Sequence, residues 1–211
     1  MKRYVVLITG GIGSGKSAVC DYLRGRGVPV YDSDSRTKAL YDEKPEIVAA
    51  LERQFGTGLR LGKGSLDRRK LASVIFASPE ALKMCEDIVH PAVLEDFLSW
   101  KDDVARDPDW CGYCGRTPFV CMESAIAMEK PLFRGCYDVS VCVDADESTR
   151  IDRACRRDGC DREAVAGRIA RQNIDPALAG YVIKNDGDIQ ALEKETDRVF
   201  GLIASGMNAF E

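Results

Sequence analysis

One octapeptide has residue types and spacing that do chemistry by themselves: Gly10-Gly11-Ile12-Gly13-Ser14-Gly15-Lys16-Ser17. It fits G-x-x-x-x-G-K-[ST] at every fixed position. Glycine takes positive φ without steric cost, so successive N–H groups turn into one concavity that binds phosphate oxygens. A helix opening at Lys16 brings its positive end to the same place. Lys16 then reaches the β- and γ-phosphates, and Ser17 offers its hydroxyl to Mg²⁺. The expected ligand is a nucleoside triphosphate cradled by Gly11, Ile12, Gly13, Ser14, Gly15, Lys16, Ser17 and Ala18.

Other residues narrow the reaction. Glu123 closes an apolar run and is placed either to support the metal or to cap a helix. Asp32 and Asp34 follow a short apolar run, where strand ends face the ligand crevice. A carboxylate there accepts a proton from an attacking hydroxyl, although Asp and Ser also favour turns. Arg150, Arg153, Arg156, Arg157, Arg162, Arg168 and Arg171 cluster late in the chain. They form either a solvated helix face or a lid whose guanidinium groups neutralise phosphate charge. Lys184-Asn185-Asp186-Gly187 is not the Asn-Lys-x-Asp guanine reader of GTPases. Among the nine cysteines, Cys111 and Cys114 make one CxxC. A structural zinc site takes four ligands, usually from two such pairs, and no second pair exists.

These residues need elements to hold them. Tyr4–Ile8, Val28–Tyr31, Phe119–Met122, Val139–Val143 and Tyr181–Ile183 read as short buried strands. Helical spacing marks 16–24, 46–55, 67–76, 79–104, 147–157 and 162–172, and a closing helix over 188–205 with Leu192, Val199 and Leu202 as core candidates. Strands alternating with helices imply an α/β three-layer fold around a five-stranded parallel sheet. A length of 211 residues fits one domain with an insertion. A net charge of −4 argues against a general nucleic-acid binder. No apolar run reaches the about 18 residues of a membrane helix, so the expected compartment is the cytoplasm.

In order along the chain, the glycine-rich loop, Asp32-Ser33-Asp34, His90-Pro91, Arg153…Arg157-Asp158-Gly159, Arg168…Gln172 and Val182-Ile183…Asn185 resemble the dephospho-CoA kinases, P-loop kinases of coenzyme A biosynthesis. The resemblance implies transfer of the ATP γ-phosphoryl group, with Mg²⁺, to the ribose 3′-hydroxyl of dephospho-CoA. It implies a nucleotide core (1–34, 115–146, 180–211), a helical acceptor-binding domain (35–114) and an arginine-bearing lid (147–179). Lys16, Asp32 and Arg153 would be catalytic, with Asp32 as base or hydroxyl-positioning group. Arg157 and Asn185 would join the ATP site, Asp34 and His90 the acceptor site, and Ser17 and Glu123 the metal. The implied enzyme is a monomer or weak oligomer without nucleic-acid or membrane partners.

Some positions depart from that pattern. Ser33 stands for alanine, Lys38 for an arginine, and Ala125-Ile126-Ala127-Met128-Glu129 for Pro-Leu-Leu-Phe-Glu. Two other readings compete: a kinase for nucleoside monophosphates, and a regulator that binds ATP without transferring phosphate. An acceptor panel separates the first, and the aspartate pair and arginine cluster argue against the second.

Overall fold

A computed structural model describes residues 4–56, 58–61, 65–106, 119–172 and 174–208. Cys111 and Cys114, in the segment 110–117, lie outside them. The apolar runs form β1 (Tyr4–Thr9), β2 (Val30–Asp32), β3 (Phe119–Glu123), β4 (Val139–Asp144) and β5 (Tyr181–Lys184). They pair in one parallel sheet in the order β2-β3-β1-β4-β5. Register puts Ile8 opposite Glu123, Thr9 opposite Cys142, and Asp144 opposite Lys184. β1 lies between β3 and β4, so the chain leaves it where the strand order reverses. Open α/β sheets bind ligands at such a point.

The helices are α1 (Lys16–Gly25), α2 (Ser33–Glu43), α3 (Pro45–Phe55), α4 (Arg68–Ile75), α5 (Pro79–Arg106), α6 (Glu147–Asp158), α7 (Arg162–Ala170) and α8 (Ile189–Asn208). Two compact units result: 1–31 with 104–211, and 32–103. The first holds the sheet with α1, α6, α7 and α8. Its core joins Val6 and Ile8 of β1, Val19 and Leu23 of α1, and Val199, Phe200 and Ile203 of α8. The Phe119 and Phe200 rings meet at 5.6 Å.

Leu202 corrects the expected core of α8: it is 49% exposed. Leu192, Thr196, Val199 and Ile203 follow the four-then-three spacing of one helix face, and Leu202 falls off that stripe.

The second unit holds α2, α3, α4 and most of α5. The expected helices there form, and α2 is an additional one. Its sequence has almost no apolar stripe, and only Ser33 and Leu40 are buried. Polar bonds make it instead. Asp32 caps it by accepting from the Ser35 N–H at 3.0 Å. Arg36 grips Asp96 of α5 through two bonds of 2.9 Å and reaches Glu43 at 2.8 Å. These carboxylates, Asp96 first, hold the guanidinium proton above its ordinary range. α5 runs through Pro91 and forgoes one backbone bond there. Among the described residues no helix is long and apolar enough to cross a membrane.

Candidate active site

The loop after β1 needs its glycines. Gly13 and Gly15 hold φ of +76° and +100°. A Cβ on Gly13 would sit 2.2 Å from the Arg150 carbonyl, and one on Gly15 2.1 Å from Asn185 Nδ2. The Ser14 N–H closes the turn on the Gly11 carbonyl at 3.1 Å. α1 then starts with no side-chain cap and no acidic residue in its first turn. Its N–H donors and positive end suit an anionic ligand. Lys16 Nζ donates to the Gly10 carbonyl at 2.7 Å, which holds the ammonium over the loop.

Glu123 comes to the loop because β3 pairs with β1 in register, with Glu123 beside Ile8. Its carboxylate accepts the exposed Ser17 hydroxyl at 3.1 Å. Cys20 lies one turn further along α1, near the same carboxylate. Burial, and then the Glu123 charge, push that thiol well above the ordinary cysteine range. No helix starts at this point: residues 125–129 form bends and turns, in which the Ser124 hydroxyl accepts from the Ile126 and Ala127 N–H groups at 3.3 and 3.1 Å. A serine hydroxyl and a carboxylate are the hard oxygen ligands that Mg²⁺ prefers, with phosphate and water completing its octahedron. Ser17 and Glu123 therefore fit that ion.

Asn185 lies beneath the loop, only 5% exposed. Its Nδ2 donates to the Ser14 carbonyl at 2.7 Å. Arg153 donates to the Asn185 carbonyl at 2.8 Å and reaches Asn185 Oδ1 and the Gly187 carbonyl at 3.4 Å. Arg157 is 61% exposed and pairs with Asp158 at 2.7 Å, and Arg168 holds the same carboxylate at 2.8 Å. Arg157 and then Arg168 hold the Asp158 carboxyl well below the usual carboxylate range.

Two further residues touch the loop. Arg150 Nε donates to the Ile12 carbonyl at 3.0 Å, and Gln172 Oε1 accepts the Ile12 N–H at 2.7 Å. Arg150 belongs to the arginine cluster and Gln172 to the quoted family run. Neither stands out by spacing, because they lie 138 and 160 residues from their partner.

The remaining candidates belong to the helical unit. Asp32 ends β2 with both oxygens on Ser35, at 3.0 Å to its N–H and 2.6 Å to its hydroxyl. Asp34 is exposed in the first turn of α2, and His90 is half-buried on α5. Lys38 is exposed on α2, and its carbonyl accepts from Arg68 at 2.8 Å.

A phosphate loop, a nearby serine and carboxylate and a parallel sheet are common to many kinases, and the match along the whole chain separates them. The family model described as dephospho-CoA kinase matches residues 4–191. The chain belongs to the dephospho-CoA kinase family. The dephospho-CoA kinase of Porphyromonas gingivalis is 40% identical over 172 residues, covering 82% of this chain and 79% of that protein. That of Chlorobaculum tepidum is 33% identical over 203 residues, covering 93% of each. The solved structure of TT1252 from Thermus thermophilus superposes with a TM-score of 0.74 at 31% identity, covering 95% of this chain and 98% of that one. The activity is that of a dephospho-CoA kinase, the last step of coenzyme A biosynthesis.

Proposed function

We propose that this kinase binds ATP on Gly11–Ala18 and passes its γ-phosphoryl group to the ribose 3′-hydroxyl of dephospho-CoA. The observation that supports it most is the Ser17–Glu123 pair at 3.1 Å beside an uncapped α1. In this reading Ser17 and Glu123 hold Mg²⁺, which neutralises phosphate charge when bound. Lys16 leaves the Gly10 carbonyl for phosphate oxygens, an exchange of one acceptor for a better, charged one.

Asp32 orients the acceptor hydroxyl. Its bonds to Ser35 fix the carboxylate, and a fixed acceptor is what positioning requires. Phosphoryl transfer through a loose transition state asks more for orientation and charge than for a strong base. Asp34, immediately before the helical segment 35–114, and His90 within it are assigned to the acceptor side. Asn185 serves ATP by supporting the Ser14 carbonyl. Segment 147–179 acts as the lid. Arg157, the exposed member, meets the nucleotide, and Arg153 stabilises the transferring group by exchanging Asn185 and Gly187 oxygens for phosphate. The enzyme works in the cytoplasm as a monomer or weak oligomer, without nucleic-acid or membrane partners. A net charge of −4 accords with that.

The test is ADP release with ATP and Mg²⁺, comparing dephospho-CoA, AMP, CMP, shikimate and no acceptor. Turnover with dephospho-CoA alone, yielding coenzyme A by mass, is the expected result. Turnover with a monophosphate would keep the ATP site and discard the acceptor.

A further inference from the structure

We propose that Gln172 and Arg150 are positioning residues for the phosphate loop, clamping Ile12 so that its glycine arc is preformed before ATP arrives. The clamp is a closed circuit. Gln172 Oε1 accepts the Ile12 N–H at 2.7 Å, Arg150 Nε donates to the Ile12 carbonyl at 3.0 Å, and Arg150 Nη2 donates to Gln172 Oε1 at 3.4 Å. Both backbone polar groups of one loop residue are thus tied to α6 and to the turn that follows α7.

Packing repeats the same message independently. The Ile12 side chain packs against the small apolar cluster that Ile151, Ala154, Val165 and Ile169 of α6 and α7 form. Gly11 and Gly13 flank it closely enough that a Cβ would meet Arg150 at 2.0 and 2.2 Å, the second contact being backbone. The clamp residues are themselves anchored. Arg150 lies in the first turns of α6, and the Gln172 N–H bonds the Ile169 carbonyl at 2.9 Å.

Freezing a glycine-rich segment costs more backbone entropy than freezing any other. A clamp that meets that cost during folding leaves less to be lost when ATP binds. The neutral carboxamide of Gln172 suits the task, since a carboxylate there would set negative charge beside the triphosphate. The base of the lid is then a fixed wall of the nucleotide site, and lid motion is confined to its far end around Gly159.

The inference rests on ATP occupying this loop, so one readout must not depend on ATP. Two variants, Gln172→Met and Arg150→Met, are compared with wild type in a double-mutant cycle. In the nucleotide-free protein, Gln172→Met should speed exchange of the ¹⁵N-labelled Ile12 amide by about tenfold, the loss of one hydrogen bond. In turnover assays KM for ATP should rise about three- to tenfold with kcat changed less than about twofold, as removal of binding common to ground and transition states predicts. The two substitutions together should raise KM by less than the product of their separate effects, because they act on one residue.

A merely structural role would lower thermal stability and active fraction but leave KM unchanged. Unchanged Ile12 exchange and KM in folded Gln172→Met, or strictly multiplicative KM effects, would overturn the proposal. Should Gln172→Met fail to fold, Arg150→Met decides alone: a raised KM supports the clamp and an unchanged one refutes it. If the wild type binds no ATP, the functional reading fails, and amide exchange still tests the clamp.

Discussion

At the residue scale, the charged candidates each have a hydrogen-bond partner within their own unit, and each predicts a consequence. Lys16 leans on the Gly10 carbonyl and Asp32 on Ser35. On the proposed roles, removing either would take away positioning or charge stabilisation used in the transfer itself. Lys16→Ala and Asp32→Asn should each lower kcat by on the order of 10²-fold or more. Steady-state assays check this, and wild-type turnover by Asp32→Asn would remove Asp32 from the chemistry. Glu123 is different because, in the proposed reading, it would act through Ser17 and the metal. Glu123→Gln keeps the Ser17 bond and the shape but loses the charge. The Mg²⁺ concentration for half-maximal rate should rise about tenfold or more, the usual loss on weakening a metal site. A magnesium titration of variant and wild type reads it directly.

At the element scale, the loop is inseparable from its neighbours. The backbone of α6 approaches Gly13 so closely that no side chain fits. Gly13→Ala must also bear a Cβ at φ +76°. The variant should lose measurable ATP binding by calorimetry while keeping the sheet and most of its helical circular dichroism. Tight ATP binding by Gly13→Ala would mean that α6 can withdraw freely. The turn between α6 and α7 is tied by charge. Asp158 accepts from Arg157 and Arg168, and its carboxyl is held below the ordinary value of 3.8. A depressed carboxylate contributes stability above its unfolded pKa and loses it as the pH falls through its folded pKa. A ¹³C carboxyl titration should therefore place the Asp158 midpoint below 3.8, with the turn loosening only in that acid range. A midpoint at or above 3.8 would show the two arginine bonds to be absent in solution.

At the scale of the whole molecule, thiol reactivity reports the fold. Cys20, Cys121 and Cys142 are buried around the sheet, and Cys160 is exposed beyond α6. Burial pushes the Cys142 thiol up to about 11. At pH 8 that thiol stays protonated, and the thiolate is the reactive form. Brief iodoacetamide treatment followed by peptide mass mapping should label Cys160 and spare Cys20, Cys121 and Cys142 until denaturant is added. Early labelling of Cys142 would contradict the packing of β4 between β1 and β5.

Much of this enzyme was legible along the chain because the relevant physics is local. Positive-φ glycines, a lysine and a serine in eight residues suffice for a phosphate cradle, and apolar runs suffice for buried parallel strands. The family followed from the order of short motifs. Tertiary structure decided the rest, where partners are far apart in sequence. Glu123 meets Ser17 only because parallel register sets β3 against β1. Asn185 reaches beneath the loop across 171 residues, and Gln172 reaches Ile12 across 160. α2 escaped the periodicity because its anchor is the Arg36–Asp96 bond, made across 60 residues rather than along an apolar stripe. Residue type and spacing say which chemistry is available. Strand order and close packing decide which groups share a site, because a hydrogen bond depends on distance in space and carries no mark in sequence.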